Sequence, residues 1–213
     1  MRPFAPLLAI LLSAPVSAAT KADVLTLHPT QMTVGMREVR AKTKKLLSLS
    51  PEEAQKQLKK NPIPVVAGPR GRLYIIDHHH LARAALDAGF GQVFVETAAD
   101  LSALPESGFW DKMKEKAWVY PYDEHGNGPH APSDLPQDVR GLVDDPFRSV
   151  AWQVREDGGY EKTDKPFAEF LWANFFRSNI KTDPAEDFKK AVAEAMEIAK
   201  DPRAKDLPGY LGK

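Results

Sequence analysis

The sequence predicts an α+β fold, in which a mixed-sheet module over residues 20–105 packs against a mostly helical extension over residues 106–213. In the first part, short β-rich runs alternate with helical segments, an order typical of α+β domains. After Leu104-Pro105 the β-rich runs become scarce and helical patterns dominate. The hydrophobic fraction of 43% and the charged fraction of 27% are ordinary for a globular protein, so a disordered or fibrous chain is not indicated.

The first 19 residues have the pattern of a secretory signal peptide. Arg2 is their only charge, residues 7–12 are apolar, and the small residues around Ala18 resemble a cleavage site. The apolar stretch is too short to span a bilayer. We therefore expect cleavage near Ala18 or Ala19 and a mature protein without a membrane span, periplasmic or secreted in a bacterium. A buried N-terminal helix is the alternative interpretation.

The module begins with a strand candidate at residues 24–27 and a helix candidate at residues 33–47. The segment Ser50-Pro51-Glu52-Glu53 predicts the start of a second helix, which should end near Lys60. Serine caps such a helix, proline is tolerated at its first position, and a glutamate three residues after the cap bonds back to it.

A hairpin, a helix and a strand complete the module. Residues 63–67 and 73–76 are apolar β-rich runs that flank a Gly-Pro-Arg-Gly turn, which predicts a hairpin. An alanine- and leucine-rich helix follows and should end near Gly89, because glycine favours the position just after a helix. Residues 93–96 form the last strand candidate.

The extension is expected to be helical apart from one short strand and one long loop. Glycine, proline, aspartate and asparagine are frequent over residues 121–136, which is typical of a loop. The predicted helices cover residues 108–116, 147–155, 167–177 and 183–200, and the predicted strand covers residues 117–120.

Charge and cysteine content narrow the function classes. The 29 basic and 29 acidic side chains give a net charge of zero, which argues against a polybasic nucleic-acid binder. Residues 20–105 carry a net +4 and residues 106–213 a net −5, which fits a basic functional module or chance drift equally well. Because the chain has no cysteine, disulfides, thiolate metal sites and a cysteine nucleophile are excluded.

The sharpest motif is Asp77-His78-His79-His80, which lies between a predicted strand and a predicted helix. Main-chain N–H groups and the dipole attract anions at a helix start. Imidazole also suits Zn, Mn or Ni, although adjacent histidines chelate one ion poorly without distant partners. Asp77 can cap the helix or orient an imidazole. The motif is therefore a phosphate or other anion site, a metal site, or a structural helix start.

A second candidate region follows the long loop. Asp144 and Asp145 can bind a divalent cation, act as a base, or cap the next helix, and capping is the commonest of these roles. Three cations, Arg148, Arg155 and Lys162, follow the aspartates closely enough to neutralise a phosphate or pair with those acids.

Residues 167–177 are apolar or aromatic almost all round, which is typical of a buried helix. Glu169 and Arg177 must then be paired or belong to a site. Helical spacing brings them towards one face, so the structural alternative is a Glu169–Arg177 or a Glu169–Arg148 ion pair. The aromatic side chains are expected to form core rather than a platform for bases.

Residues 64–66 and 72–84, with the Asp77–His80 turn, resemble the ParB/sulfiredoxin superfamily, in which a strand leads through a Gly-x-His-Arg or Gly-Glu-Arg-Arg turn into a helix. The Asp-His-His-His-Leu motif is more closely similar to a family of exported bacterial proteins described as "putative ParB-like nuclease". The other matching segments are Val34-Gly35 with Lys42, residues 142–149, residues 158–160 and residues 166–177. The resemblance spans about residues 23 to 180.

Because superfamily members bind or process nucleotides and phosphates at this turn, the resemblance implies a hydrolase of phosphodiesters or phosphate esters, nominally a nuclease. His79 or His80 would act as general base or acid. The residues expected in the catalytic set are Asp77, His78, His79, His80 and Glu169. Lys42, Arg148 and Arg177 are expected to hold the phosphate, and a divalent metal on Asp144 and Asp145 is optional.

The turn also departs from the superfamily pattern. His80 stands where the superfamily has arginine, which removes a permanently charged bidentate phosphate ligand. The absence of cysteine excludes the sulfinic-acid reductase chemistry. Two alternatives remain: a non-catalytic exported protein that binds a phosphorylated or anionic small molecule at this turn, and a toxin-like or interaction protein whose turn is structural. The expected partner is an anionic ligand, nucleic acid included.

Overall fold

The computed structural model describes residues 19–212, and over this range it confirms the predicted α+β fold. Residues 1–18 of the predicted leader lie outside the described residues. The strands are β1 (Thr20–Asp23), β2 (Leu27–Pro29), β3 (Thr33–Val34), β4 (Ile63–Ala67), β5 (Leu73–Ile75), β6 (Gln92–Asp100) and β7 (Val143–Asp144). The helices are α1 (Met36–Leu47), α2 (Pro51–Lys60), α3 (His79–Asp87), α4 (Glu106–Glu115), α5 (Pro146–Glu156), α6 (Ala168–Asn179) and α7 (Phe188–Ile198).

Five strands form a mixed sheet in the order β1-β6-β4-β5-β2. β4 lies at its centre, parallel to β6 and antiparallel to β5, so the predicted hairpin is confirmed. β2 is parallel to β5, and β1 is antiparallel to β6. The hairpin turn requires glycine at position 68, because a Cβ there would lie 2.5 Å from the Tyr74 ring.

Three local predictions are wrong. Residues 24–27 do not form one strand, because the Asp23 carboxylate accepts a hydrogen bond from the Leu25 N–H at 2.9 Å and a 3-10 turn follows. Over residues 117–120, only Tyr120 makes a β-bridge, with Gln31. The last helix begins at Phe188 rather than near residue 183, with the Asp187 carboxylate as its cap.

The predicted start of the second helix is confirmed at α2. The Ser50 hydroxyl accepts from the Glu53 N–H, and the Glu53 carboxylate accepts from the Ser50 N–H at 3.0 Å. Residues 33–47 divide into β3 and α1, because the chain stays extended through Val34 and turns at Gly35.

Three hydrophobic clusters form the core over the described residues, and the two larger ones lie against the helices. The first lies between the sheet and helices α1, α2 and α3, and includes Val39, Leu58 and Ile75. The second lies between α5, α6 and α7 around Trp172 and Phe176, which are fully buried. Each buried side chain of this size contributes about 1.5–3 kcal/mol through the apolar surface it removes from water.

The module and the helices of the extension are joined at the start of α1. β3 pairs in parallel with β7, and the Asp144 carboxylate accepts from the Met36 N–H at 2.8 Å. Gly35 allows this approach, because a Cβ there would lie 2.9 Å from the Ser149 nitrogen. α1 and α5 are therefore held side by side. Between residues 19 and 212, no helix combines the length and the apolar character needed to cross a bilayer.

Candidate functional site

The Asp77–His80 turn is built by a left-handed residue between β5 and α3. His78 has φ +62° and caps α3, and its N–H donates to the Asp77 carboxylate at 2.6 Å. The His78 ring is half-buried, and its Nδ1 lies 2.9 Å from the Pro62 carbonyl oxygen. A carbonyl only accepts, so Nδ1 carries the proton, and in the neutral imidazole Nε2 of His78 is the acceptor nitrogen.

The other two histidines are buried and bound to the main chain. Nε2 of His79 accepts from the Thr30 N–H at 3.1 Å, and Nε2 of His80 accepts from the Gly35 N–H at 2.9 Å. Burial lowers the pKa of each imidazole to about 3, although Asp77 opposes the shift at His79 and Glu38 opposes it at His80. Both rings are therefore neutral at pH 7, and their acceptor nitrogens are occupied.

Glu38 of α1 faces the turn from the opposite side, and its side chain is buried. Its Oε2 lies 3.5 Å from Nε2 of His80 and 3.5 Å from Nη2 of Arg148, and its Oε1 lies 3.4 Å from Nζ of Lys42. Burial alone would raise the pKa of Glu38, but the electrostatic effect of the nearby His80 imidazole and the positive charges of Arg148 and Lys42 outweigh it and hold the pKa at about 2. Glu38 is therefore ionised at neutral pH.

Arg148 connects this carboxylate to the extension. It lies on α5, and its Nη2 also pairs with Glu169 of α6, which in turn pairs with Arg155. Burial of Arg148 is nearly complete, yet its Nε and Nη1 have no hydrogen-bond partner over the described range. The predicted alternative of a Glu169–Arg148 pair is thus observed, while Arg177 pairs elsewhere.

These groups line one cavity of about 830 Å³ between the module and the extension. Its walls include the turn, one face of α1, the face of α5 that carries Arg148 and Arg155, and the segment that runs from Tyr160 into α6. Five acidic side chains line it, against seven basic ones. The basic residues are Lys42, Lys45, Lys116, Arg148, Arg155, Lys162 and Lys165. The excess of positive charge suits an anionic ligand.

Backbone strain is concentrated around the same cavity. Among the described residues, four that are not glycine have a positive φ. Three of them, His78, Ala117 and Phe167, line the cavity. Left-handed backbone costs a non-glycine residue free energy and tends to cluster at functional sites. The left-handed backbone and the excess of positive charge therefore both favour this cavity as the candidate site.

The structure brings together most of the predicted site residues and separates three of them. Asp77, the three histidines, Lys42, Arg148 and Glu169 all line the cavity, whereas Asp144, Asp145 and Arg177 do not. The Asp145 carboxylate caps α5 by accepting from the Phe147 and Arg148 N–H groups, and it binds Nη2 of Arg177 at 2.6 Å. Within residues 19–212, no three histidine, aspartate or glutamate side chains are grouped to hold a metal ion.

The sequence interpretation missed Glu38, and it named Arg155 only as one of three cations that follow the aspartate pair. A signal for Glu38 was present, since it precedes Lys42 by four residues and the two therefore share one face of α1. Arg155 follows Arg148 by seven residues, which also places both on one face of α5. Neither spacing shows that the faces of α1 and α5 meet, because that contact depends on the fold.

Comparisons with known proteins agree with this architecture. The family model described as "Putative ParB-like nuclease" matches residues 20–178. Among solved structures, the chain is similar to the crystal structure of protein Atu1540 from Agrobacterium tumefaciens, with 39% sequence identity and a TM-score of 0.85. The match covers 92% of this chain and 97% of that chain. No curated protein matches the chain.

The family match covers most of the described chain, including the turn, α1, α5 and nearly all of α6. The site residues of the cavity therefore all lie within the matched segment. On this evidence, the chain belongs to the family described as "Putative ParB-like nuclease".

Proposed function

We propose that the chain hydrolyses phosphate esters in the cavity at the Asp77–His80 turn. The substrate is either a phosphodiester or a phosphate monoester. The observation that carries the proposal is the presence of a proton acceptor, His78, and a buried arginine with free N–H groups, Arg148, in one cationic cavity. Acid–base catalysis and stabilisation of a phosphoryl oxyanion need these two kinds of group.

Binding of the phosphoryl group is assigned to Lys42, Arg148 and the first turn of α3. Guanidinium and ammonium groups are the side chains that neutralise phosphate oxygens, and the first N–H groups of a helix lack partners within the helix. Glu169 contributes indirectly, because it holds the guanidinium of Arg148. Arg177 has no part in this binding, since it pairs with Asp145.

The proton acceptor is assigned to His78 rather than to His79 or His80. In this scheme Nε2 of His78 takes a proton from a water molecule as the water oxygen attacks phosphorus. The P–O bond to the alcohol breaks, and the alcohol leaves with a proton from water at the open mouth of the cavity. The products are the alcohol and a phosphate, and the neighbouring cations stabilise the charge on the phosphoryl oxygens in the transition state.

A second candidate is a non-catalytic protein that binds a phosphorylated or anionic small molecule in the same cavity. It is favoured by the hydrogen bonds of His79 and His80, because the main chain occupies their acceptor nitrogens and leaves His78 as the single histidine for catalysis at the turn.

Turnover of a substrate panel distinguishes the two. The mature chain is incubated with single- and double-stranded DNA, RNA and small phosphate esters, with Mg, Mn or Zn and with chelator. We expect hydrolysis that falls at least about a hundredfold in His78→Gln. His125→Gln is the matched control, because His125 is exposed in the long loop. Binding without turnover, weakened in Arg148→Met, would support the second candidate instead.

We also propose that residues 1–19 direct export, as their composition predicts. Expression of the full chain in a bacterium should place the protein in the periplasmic fraction. N-terminal sequencing should begin near Ala19. A cytoplasmic protein that retains Met1 would contradict this proposal.

A further inference from the structure

Glu38 is a buried carboxylate whose Oε2 has no hydrogen-bond partner among the described residues. It is 7% exposed, it lines the cavity, and none of the hydrogen bonds over residues 19–212 reaches either of its oxygens. The nearest cations are 3.4 and 3.5 Å away. Nε2 of His80 cannot serve as a donor, because it already accepts from the Gly35 N–H. A buried ionised carboxylate needs donors, and among the described residues the nearest N–H donors lie 3.4–3.5 Å away, longer than an ordinary hydrogen bond.

Arg148 lines the same cavity and has N–H donors without acceptors among the described residues. It is 5% exposed, and its Nε and Nη1 are free of partners within the described part of the chain. Its Nη2 lies between Glu169 and Glu38. An ionised acceptor thus lies beside unused donors, so a ligand that satisfies both must accept from Arg148 and donate to Glu38.

We propose that the cavity binds an oxyanion that carries a proton, namely hydrogen phosphate or the monoanion of a phosphate monoester, with Glu38 accepting the hydrogen bond of that P–OH group. This inference rests on the proposed function, which places a phosphoryl group in the cavity. A fully deprotonated oxygen would face the Glu38 carboxylate as one negative charge against another. The P–OH group turns this repulsion into a charge-assisted hydrogen bond.

This requirement selects the substrate class. A phosphate monoester has a second pKa of about 6, so it retains one P–OH group in mildly acidic solution. A phosphodiester anion has no proton to donate. Glu38 is therefore a specificity-determining residue that favours monoesters and excludes the phosphodiesters of nucleic acids. The other titratable and charged groups around Glu38 are the neutral imidazole of His80, Lys42, Arg148, Arg155 and Glu169.

A pair of ligands of equal charge tests this inference. At pH 5.5, methyl phosphate is mainly a monoanion with a P–OH group, and dimethyl phosphate is a monoanion without one. Titration calorimetry of the mature chain should give an affinity for methyl phosphate about ten- to hundredfold higher, the value of a hydrogen bond to a charged group. The titration state of the protein is the same for both ligands.

The Glu38→Gln variant should remove the preference. Its amide can donate to an unprotonated oxygen, so the two affinities should come within about threefold. Glu52→Gln, on the exposed face of α2, is the matched control and should keep the wild-type ratio. Circular dichroism and a thermal melt check that the variant folds. If the variant does not fold, the comparison of the two ligands in the wild-type protein still tests the role of Glu38.

Each outcome is informative. Equal affinities for the two ligands in the wild-type protein would overturn the role of Glu38, because an ordered water would then satisfy its carboxylate, and would leave the proposed hydrolysis standing. Hydrolysis of diesters but not of monoesters would overturn it as well. The absence of both binding and turnover would remove the proposed function and the inference together.

Discussion

Nε2 of His80 accepts a hydrogen bond from the N–H of Gly35 at 2.9 Å, which joins the start of α3 to the start of α1. A second bond of the same kind joins His79 to Thr30. The two imidazoles thereby attach the Asp77–His80 turn to the segment that leads into α1. α1 in turn carries Glu38 and Lys42 to the cavity. The hydrogen bonds that stabilise the fold therefore also place these two side chains in the candidate site.

Replacement of His80 by alanine should destabilise the protein. The Gly35 N–H would lose its partner in a buried environment, which costs about 1–3 kcal/mol of the free energy of unfolding. Urea unfolding monitored by circular dichroism measures the loss. His125→Ala, in the exposed loop, should change the free energy by less than about 0.5 kcal/mol. An equally small effect for His80→Ala would show that water replaces the imidazole.

Replacement of Gly35 by alanine should separate α1 from α5. The new Cβ would lie 2.9 Å from the main-chain nitrogen of Ser149 and 3.1 Å from the carbonyl carbon of Arg148, and backbone cannot move aside cheaply. We expect a loss of about 1–3 kcal/mol, as for other overpacked sites. Gly91→Ala is the control, because nothing lies within 4 Å of its Cβ position. Wild-type stability in Gly35→Ala would contradict the close contact.

Stability should fall as the solution becomes acidic. His79 and His80 have folded-state pKa values of about 3, against 6.5 when unfolded, so below pH 6.5 the unfolded chain binds protons that the folded chain does not. Their contribution is complete above pH 6.5 and is lost as the pH falls towards 3. The slope should be about 1.4 kcal/mol per pH unit for each histidine.

Urea unfolding between pH 7.5 and pH 4 measures this slope. A His79→Gln variant should lose one of the two contributions, so its curve should be flatter than that of the wild type. Glu38 adds a further loss only at lower pH, since its pKa of about 2 lies below its ordinary value of 4.5. A wild-type free energy that is constant from pH 6.5 to pH 4 would show that the imidazoles are accessible to protons when folded.

Asp145→Ala should affect stability and leave ligand binding nearly unchanged. The variant removes the cap of α5 and leaves Arg177 without its carboxylate, which together cost about 3–5 kcal/mol. Below the melting temperature of the variant, the affinity for phosphate should stay within about threefold of wild type, because Asp145 lies outside the cavity. A large loss of phosphate affinity in the folded variant would show that Asp145 contributes to phosphate binding.

The parts of the fold that were predicted correctly depend on neighbours in the sequence. The capping box of α2 joins residues three apart, and the hairpin of β4 and β5 joins strands across a short turn. The strand-to-helix turn at Asp77–His80 was located by the same kind of local pattern. The errors at residues 24–27 and near residue 183 are local too, because aspartate carboxylates there bond to nearby N–H groups and form turns.

The sequence by itself determined the α+β class, the position of the Asp77–His80 turn and the charged residues available to it, since these follow from local pattern and composition. Only the tertiary structure decided which charges meet. It buried His79 and His80 against main-chain N–H groups, brought Glu38 to Arg148 across 110 residues of chain, and paired Arg177 with Asp145. The physical reason is that contacts between side chains on different helices depend on how those helices pack. The periodicity of one helix shows which residues share a face, but it does not show which other helix that face will contact.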